Sequence, residues 1–213
     1  MIQSALRSET LTLPTLYAIL DVAYLRTTSD LLAFAAELCA GGCTLLQYRN
    51  KSGNARVMLE QTRGLKKRLG ESVRLVMNDR ADLCLAADFD GVHVGQEDLS
   101  PESVRKIIGP ERWLGVSTHN PEQLREADLT SADYLAIGPV FATSSKEKPD
   151  PVVGLEGLRR ARHLTRKPLV AIGGITRANA TSVIEAGADS VAVISDLLRE
   201  PGKSAEEFFR ILR

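Results

Sequence analysis

Two carboxylates follow two neighbouring candidate strands in the middle of the chain. Asp79 comes directly after the stretch 75–78, whose first three residues are apolar, and Asp98 comes after the stretch 91–96. Neighbouring parallel strands lie about 4.8 Å apart, so acids beyond the same ends of two such strands can face one point. Mg²⁺ is usually held by one or two carboxylates together with substrate phosphates. The pair therefore indicates a magnesium–phosphate site, with a helix cap at Asp79 and a turn cap at Asp98 as the alternative.

Three polar side chains alternate along the second candidate strand, at Gln47, Arg49 and Lys51. Because side chains in a strand alternate between its two faces, these three point the same way. Two cations and an amide that converge suit a phosphate or diphosphate. The alternative is a solvated strand end with surface ion pairs, which is the commoner outcome for an isolated pattern of this kind.

The ends of the last two candidate strands indicate a second anion site. The seventh strand ends in the paired glycine Gly173-Gly174, and the eighth ends at Ile194-Ser195. In eight-stranded barrels the loops after strands seven and eight are the usual phosphate site, where backbone N–H groups receive the anion. A tight strand-to-helix turn is the alternative. Two anion sites imply two anionic substrates or one long bisphosphate.

The three histidines have different contexts. His93 lies in the middle of an apolar strand, which is typical of a hydrogen-bonded side chain inside a barrel. His119 lies near a helix start, where a structural role is commoner than that of a general base. His163 lies on a helix and is expected at the surface.

Short apolar runs alternate with amphipathic segments along the whole chain, and eight strands each followed by a helix can be assigned. This count predicts an α/β protein, a single-domain (β/α)₈ TIM barrel, with a doubly wound sheet as the structural alternative. We expect an N-terminal extension over residues 1–13 and the barrel over residues 14–213. The last two helices are predicted over 177–186 and 205–212.

Composition limits the classes of partner. The 213 residues include 27 Lys+Arg and 27 Asp+Glu, so nothing indicates nucleic acid or a membrane surface. The three cysteines lack paired spacing and are expected to be buried in a reducing compartment. No apolar run has the length of a signal peptide or a membrane span. We expect a cytoplasmic protein that acts on small molecules, and a homo-oligomer stays open.

A set of motifs in order along the chain then gives a resemblance. LYAILD, GGCTLLQYRNK, MNDRADLCLAADFDGVHVGQEDL, GVSTHN, ADYLAIGPVFATSSK, PLVAIGGI and GADSVAVIS run from Leu16 to about Leu197. Together they resemble the thiamine phosphate synthase (thiamine-phosphate pyrophosphorylase) family. The resemblance implies a Mg²⁺-dependent transferase. Its substrates would be 4-amino-2-methyl-5-(diphosphooxymethyl)pyrimidine and 4-methyl-5-(2-phosphooxyethyl)thiazole or its carboxylated precursor, and its products thiamine phosphate and diphosphate.

The resemblance also implies roles for particular residues. Those expected at the pyrimidine diphosphate are Gln47, Tyr48, Arg49, Asn50, Lys51, Asn78, Ser117 and Lys146. Among them the catalytic cations, which stabilise the departing diphosphate, would be Arg49, Lys51 and Lys146. The ligands of Mg²⁺ would be Asp79 and Asp98. Those expected at the thiazole phosphate are Thr143, Ser144, Ser145, Gly174, Ile194 and Ser195.

The implied mechanism is dissociative. Loss of diphosphate from the pyrimidine CH₂ group leaves a carbocation, which the thiazole nitrogen captures without a protein nucleophile. The polar loop 141–153 is expected to act as a lid that excludes water. The chain departs from the family pattern at Leu20, Ser100 and Pro149, all outside the anion-binding set.

The sequence leaves two alternative functions open. The thiazole tautomerase shares the fold, but it lacks the acid pair and has a histidine where Pro139 stands here. A non-catalytic barrel that binds a phosphate ligand is expected to lose one metal acid or Lys146, and this sequence keeps them.

Overall fold

Eight parallel strands close into a barrel in chain order, because β1 pairs with both β2 and β8. This computed structural model describes residues 11–143 and 150–212. The strands are Leu16–Asp21 (β1), Leu45–Arg49 (β2), Arg74–Asn78 (β3), Gly91–Val94 (β4), Trp113–Thr118 (β5), Tyr134–Ile137 (β6), Leu169–Ile172 (β7) and Ser190–Val193 (β8). The predicted single-domain (β/α)₈ barrel is confirmed, and a doubly wound sheet is excluded.

An α-helix follows each strand and packs on the outside of the barrel. The helices are Thr28–Ala40 (α1), Ala55–Leu69 (α2), Ala81–Ala86 (α3), Pro101–Ile108 (α4), Pro121–Asp128 (α5), Gly154–Arg162 (α6), Ala180–Glu185 (α7) and Pro201–Ile211 (α8). Short 3-10 helices, Val22–Tyr24 and Ser195–Leu197, follow β1 and β8. In the described part of the chain, no helix combines the length and the apolar character that crossing a bilayer requires.

Side chains of each strand alternate between two cores. On β1, Tyr17 and Ile19 face the barrel interior, whereas Leu16, Ala18 and Leu20 pack against the helices. Such alternation is general in barrels. It decides which residues of a strand can reach a site at the barrel mouth.

Aspartates directly before β4, β6 and β8 tie the amino-terminal side of the barrel together. Each accepts a hydrogen bond at 2.7–2.8 Å from the backbone N–H of the preceding strand; the pairs are Asp90 with Leu75, Asp133 with Leu114 and Asp189 with Leu169. Each also pairs with an arginine at 2.7–2.8 Å; these are Arg74, Arg105 and Arg162. These contacts stabilise the end of the barrel opposite the strands' carboxyl ends.

The last two helices begin elsewhere than predicted. Helix α7 begins at Ala180 rather than at residue 177, because Asn179 closes a turn by accepting from the Thr176 N–H at 2.8 Å and donating to Gly174 O at 3.0 Å. Helix α8 begins at Pro201 rather than at residue 205. A proline is favourable at the first helical position, since the missing N–H needs no partner there.

The start of the described chain packs on the barrel. Leu13 is buried and Leu11 is partly buried, and both contact the interior core. They belong to the predicted extension, whose residues 1–10 lie outside the described residues. Of the cysteines, Cys43 and Cys84 are buried and Cys39 is half-buried, and all three are free thiols.

Candidate active site

A cavity of about 470 Å³ lies at the carboxyl ends of the barrel strands. Sites for small molecules commonly have volumes of ~300–1,000 Å³. Most of the predicted site residues line it: Gln47, Arg49, Lys51, Asn78, Asp79, Asp98, Ser117, Thr143, Gly174, Ile194 and Ser195. The structure therefore brings side chains from seven strand ends or loops of the sequence, from β2 to the segment after β8, to one place.

Asp79 and Asp98 lie next to each other on one side of the cavity. Asp79 has a left-handed backbone conformation, with φ 63°, and its N–H donates to His93 O at 2.8 Å. Asp98 accepts from the Gly95 N–H at 2.8 Å. Burial raises the pKa of the Asp79 carboxyl; the Lys51 ammonium lowers it, and the adjacent Asp98 carboxyl raises it again, with a net upward shift. A cation bound between the two carboxylates would relieve this repulsion.

Two of the predicted phosphate-binding cations pair with carboxylates at the cavity edge. Lys51 Nζ lies 2.5 Å from Asp79 Oδ2, and Arg49 forms an ion pair with the buried Asp21. The Lys51 side chain is 56% exposed, so it can turn to an anion in the cavity. Asp21 neutralises Arg49 and fixes its guanidinium at the end of β2.

Asn78, the last residue of β3, carries an unused donor. Its Nδ2 atom is buried and has no hydrogen-bond partner among the described residues. A buried polar group without a partner costs ~1–3 kcal/mol. Because Asn78 lines the cavity beside Asp79, an anion there would satisfy this amide.

The donor set fits Mg²⁺ that arrives with a phosphate. Within residues 11–143 and 150–212, no cluster of three or more His, Cys, Asp or Glu side chains could hold a metal alone. Mg²⁺ does not need such a cluster, because it keeps several waters and takes substrate phosphate oxygens in addition to one or two carboxylates. Asp79 and Asp98 would supply those carboxylates, and the Asn78 amide and two cations lie in the same cavity.

A chain of four hydrogen bonds, three of them buried and the last partly buried, forms one wall of the cavity. Gln47 Nε2 donates to Tyr17 Oη at 2.9 Å, Tyr17 and Tyr134 hydroxyls lie 3.0 Å apart, and His93 lies 3.1 Å from Tyr134 Oη and 2.8 Å from Ser117 Oγ. Burial lowers the pKa of His93 to about 4, against a smaller raising effect of Asp98. His93 is thus a neutral, hydrogen-bonded interior residue, as predicted.

Sequence reasoning did not find Tyr17 or Tyr134. The available signal was a hydroxyl-bearing ring at an inward-facing position of an otherwise apolar strand, in LYAILD and in DYLAI. A buried tyrosine hydroxyl normally finds a partner. The signal indicates a hydrogen bond but not its partner, which lies 117 residues away.

The paired glycine after β7 forms the opposite side of the cavity. Gly173 and Gly174 have φ of 97° and 64°, a region that favours glycine. A Cβ at Gly173 would lie 2.5 Å from Pro139 Cβ, and one at Gly174 would lie 2.5 Å from Ala142 O. The loop after β6 therefore rests directly on this turn, and Phe141 N–H donates to Gly173 O at 3.0 Å.

The structure does not bring Tyr48 and Asn50 to the cavity, contrary to the prediction. Tyr48 faces the helices, and its hydroxyl donates to Gln61 Oε1 of α2 at 2.5 Å. Asn50 Nδ2 donates to Tyr48 Oη at 3.0 Å. The reason is strand alternation: with Gln47 inward, the residue after it must point outward.

Three further predicted contacts, Ser144, Ser145 and Lys146, lie outside the described residues, so their roles and the lid formed by 141–153 stay predictions. His119 lines the cavity, but its Nδ1 lies 2.6 Å from Gly138 O and 3.5 Å from the Asp150 carboxylate. These contacts give His119 a structural position at the end of β5. His163 is exposed, as predicted.

The cavity lies at the carboxyl ends of the strands, and an acid pair, two cations and a glycine turn surround it. This arrangement defines an enzyme of the TIM-barrel class. The chain belongs to the thiamine monophosphate synthase family, whose model matches residues 16–197. It is thus a transferase of thiamine biosynthesis.

Individual relatives agree with this membership. The chain is 62% identical over 205 residues to the thiamine-phosphate synthase of Koribacter versatilis, covering 95% of this chain and 97% of that one. It is 44% identical over 183 residues to that of Chloroflexus aurantiacus, covering 84% and 83%. Among solved structures, the thiamine phosphate pyrophosphorylase of Pyrococcus furiosus has a TM-score of 0.83 and 35% identity, covering 93% and 95%.

Proposed function

We propose that this chain joins 4-amino-2-methyl-5-(diphosphooxymethyl)pyrimidine to 4-methyl-5-(2-phosphooxyethyl)thiazole or its carboxylated precursor. The products are thiamine phosphate and diphosphate, together with CO₂ when the precursor is carboxylated. The observation that carries the proposal is the acid pair Asp79 and Asp98 beside Lys51, Arg49 and the unpartnered Asn78 amide. These groups suit a metal-bound diphosphate. The family membership supplies the product.

The proposed reaction breaks the bond between the pyrimidine CH₂ carbon and the diphosphate oxygen, and the electron pair leaves with diphosphate. The thiazole nitrogen then gives its lone pair to the carbocation, and a C–N bond forms. Mg²⁺, when held by Asp79 and Asp98, supplies positive charge where the leaving group becomes negative. Arg49 and Lys51 stabilise the same developing charge, and the Asn78 amide donates to it.

The thiazole phosphate is assigned to the opposite side of the cavity. Gly174, Ile194 and Ser195 line that side, where backbone N–H groups of the strand-to-helix turns could receive an anion. Thr143 lines the cavity at the start of the loop after β6. Ser144 and Ser145 are proposed to complete the contacts to the thiazole phosphate when both substrates are bound, and Lys146 is proposed to reach the diphosphate.

The tautomerase alternative is disfavoured by the residues present. Both metal acids line the cavity, and Pro139 occupies the position where that relative has a histidine. His119 is a candidate general base at the cavity, but its Nδ1 forms a hydrogen bond with Gly138 O. A reaction without a general base fits these contacts best.

The test is an assay of the purified protein with both substrates and Mg²⁺. We expect thiamine phosphate and diphosphate in equal amounts, no product when a chelator removes the metal, and full recovery when excess Mg²⁺ is returned. Turnover of the thiazole phosphate alone into a tautomer, without use of the pyrimidine, would instead support the tautomerase. Binding of both ligands without any product would support a non-catalytic barrel.

A further inference from the structure

The four hydrogen bonds along the cavity wall allow two assignments of donors and acceptors in which every bond is formed and each tyrosine hydroxyl proton has a partner. Gln47 Nε2 donates to Tyr17 Oη, so the Tyr17 proton is directed to Tyr134 Oη, its other partner at 3.0 Å. The Tyr134 hydroxyl then donates to His93 Nδ1, at 3.1 Å. A neutral imidazole that accepts at Nδ1 carries its proton on Nε2, which donates to Ser117 Oγ at 2.8 Å.

This assignment determines which groups the two ends of the hydrogen-bond chain, Gln47 and Ser117, present to the cavity. Gln47 has used its NH₂ group on Tyr17, so its carbonyl oxygen is the atom left to accept. Ser117 accepts from His93, so its hydroxyl proton is left to donate. The opposite direction requires Gln47 to turn its carbonyl to Tyr17 and its NH₂ to the cavity, and it places the histidine proton on Nδ1.

We propose that Tyr17, Tyr134 and His93 are positioning residues that fix Gln47 as an acceptor and Ser117 as a donor, and thereby fix which way round an aminopyrimidine edge binds. This inference rests on the proposed function. In a 4-aminopyrimidine, an NH₂ donor lies next to a ring-nitrogen acceptor. The amino group would donate to the Gln47 carbonyl, and the adjacent ring nitrogen would accept from Ser117.

The surrounding packing holds the hydrogen-bonded side chains of the cavity wall in one arrangement. Tyr17 and Tyr134 are 1% exposed, and their rings meet edge to face with centroids 6.2 Å apart. Gly115 of β5 leaves the space that Tyr134 and His93 use, because a Cβ there would lie 2.1 Å from Tyr134 Cζ and 2.4 Å from His93 Nδ1. Burial also raises the pKa of Tyr134, so its hydroxyl keeps its proton. Fixed donors of this kind give specificity, since a mismatched ligand leaves them unpaired.

The direct test is the tautomer of His93, measured by ¹⁵N NMR of the imidazoles in the full-length protein without substrates. The chain has three histidines, so His119→Asn and His163→Asn variants assign the signals. We expect neutral His93 with its proton on Nε2 from pH 5.5 to 8. A proton on Nδ1, or a charged ring in this range, would overturn the inference whether or not the protein makes thiamine phosphate.

A second test uses Tyr134→Phe, which removes the donor to His93 Nδ1 and keeps the ring. The readout is the ratio of kcat/KM for the pyrimidine diphosphate to that for its analogue with hydrogen in place of the amino group. We expect this ratio to fall about tenfold or more, since one lost hydrogen-bond preference is worth ~1.4 kcal/mol. His93 should also lose its single tautomer in this variant.

The matched control is Tyr48→Phe. Tyr48 is as deeply buried, but its hydroxyl bonds to Gln61 on the outer side of the barrel. We expect this variant to keep the wild-type ratio. An equal loss of kcat/KM for both pyrimidines in Tyr134→Phe would mean a purely structural role and would contradict the inference. Absence of product in the wild type would count against the proposed function alone, because the tautomer is measured without substrates.

Discussion

Lys51 and Asp79 form an ion pair between the ends of β2 and β3, with 2.5 Å between Nζ and Oδ2. Asp79 is also one of the two carboxylates proposed to hold Mg²⁺. The lysine and the metal therefore compete for the same carboxylate. A diphosphate that brings its own Mg²⁺ would give both of them a partner, since Lys51 could turn to the phosphate as the metal takes Asp79.

Removal of this lysine should strengthen the binding of a metal alone. In Lys51→Met we expect Mn²⁺, used as a spectroscopic substitute, to bind up to about fivefold more tightly without diphosphate, because an exposed ion pair is worth ~0.2–1 kcal/mol. With diphosphate present the variant should bind less tightly than the wild type. Electron paramagnetic resonance titration measures both. Lys66→Met, which removes a surface partner of Glu71, should change neither; weaker Mn²⁺ binding in Lys51→Met would refute the competition.

Gly115→Ala should damage both stability and the cavity wall. The added Cβ has no room beside Tyr134 and His93, and overpacking of a core typically costs ~1–3 kcal/mol. We expect a loss of this size in urea unfolding, together with weaker binding of the pyrimidine diphosphate.

The control for this variant is Gly64→Ala. Gly64 lies within α2, and the nearest atom to its added Cβ is a terminal carbon of Leu32, 3.3 Å away. Replacement of a helical glycine by alanine commonly gains up to ~1 kcal/mol. If Gly115→Ala were as stable as Gly64→Ala, the close packing of the cavity wall would be refuted.

The protein should become less stable as the pH decreases through the range between the folded and unfolded pKa values of His93. Its folded-state pKa of about 4 lies below the 6.5 of an exposed histidine, because burial disfavours the charged ring. Between these values the unfolded chain takes up a proton that the folded chain does not, so the free energy of unfolding decreases as the pH falls. The slope is at most ~1.4 kcal/mol per pH unit, or on the order of 2 kcal/mol between pH 6.5 and 5.

Urea unfolding of the wild type and His93→Gln at pH 7 and pH 5 isolates this contribution. Both proteins share the other titrating groups, so the difference between their pH dependences belongs to His93. The variant should lose less stability on acidification. Identical losses would mean that His93 is not held neutral by the fold.

The other two histidines should matter little to the rate. If no general base is used, His119→Asn and His163→Asn should each keep turnover within about tenfold of the wild type, short of the ~10²–10⁴-fold that loss of an acid–base group costs. His119 lines the cavity and His163 is exposed, so the second variant serves as the control for the first. A thousandfold loss at His119 in a folded protein would point to acid–base chemistry.

The barrel could be predicted because its evidence is local and repeated. Each apolar run is followed by a helical period, and eight such units need no knowledge of distant contacts. The starts of α7 and α8 differ from the prediction because they depend on particular side chains. Asn179 closes a turn that delays one helix, and Pro201 starts the other earlier than its apolar pattern does.

The site could be predicted in part for the same reason. Alternation along β2 correctly placed Gln47, Arg49 and Lys51 at the cavity. A contiguous family motif added Tyr48 and Asn50, although the same alternation turns Tyr48 to the other side of the sheet. The pairing of Asp21 with Arg49 and the bond between Tyr17 and Tyr134 depend on contacts between different strands, which a single sequence does not reveal.

The proposed metal-assisted coupling is tested most directly by the rate of thiamine phosphate formation in Asp79→Asn and Asp98→Asn at saturating substrates and Mg²⁺. Asp82→Asn is the control, because this exposed carboxylate lies three residues beyond Asp79 and pairs only with Arg80 among the ion pairs of the described residues. Loss of a metal ligand removes several kcal/mol of charge stabilisation, so both site variants should be slower by roughly 10²-fold or more, with the control near the wild-type rate. Wild-type rates in Asp79→Asn and Asp98→Asn would contradict the account.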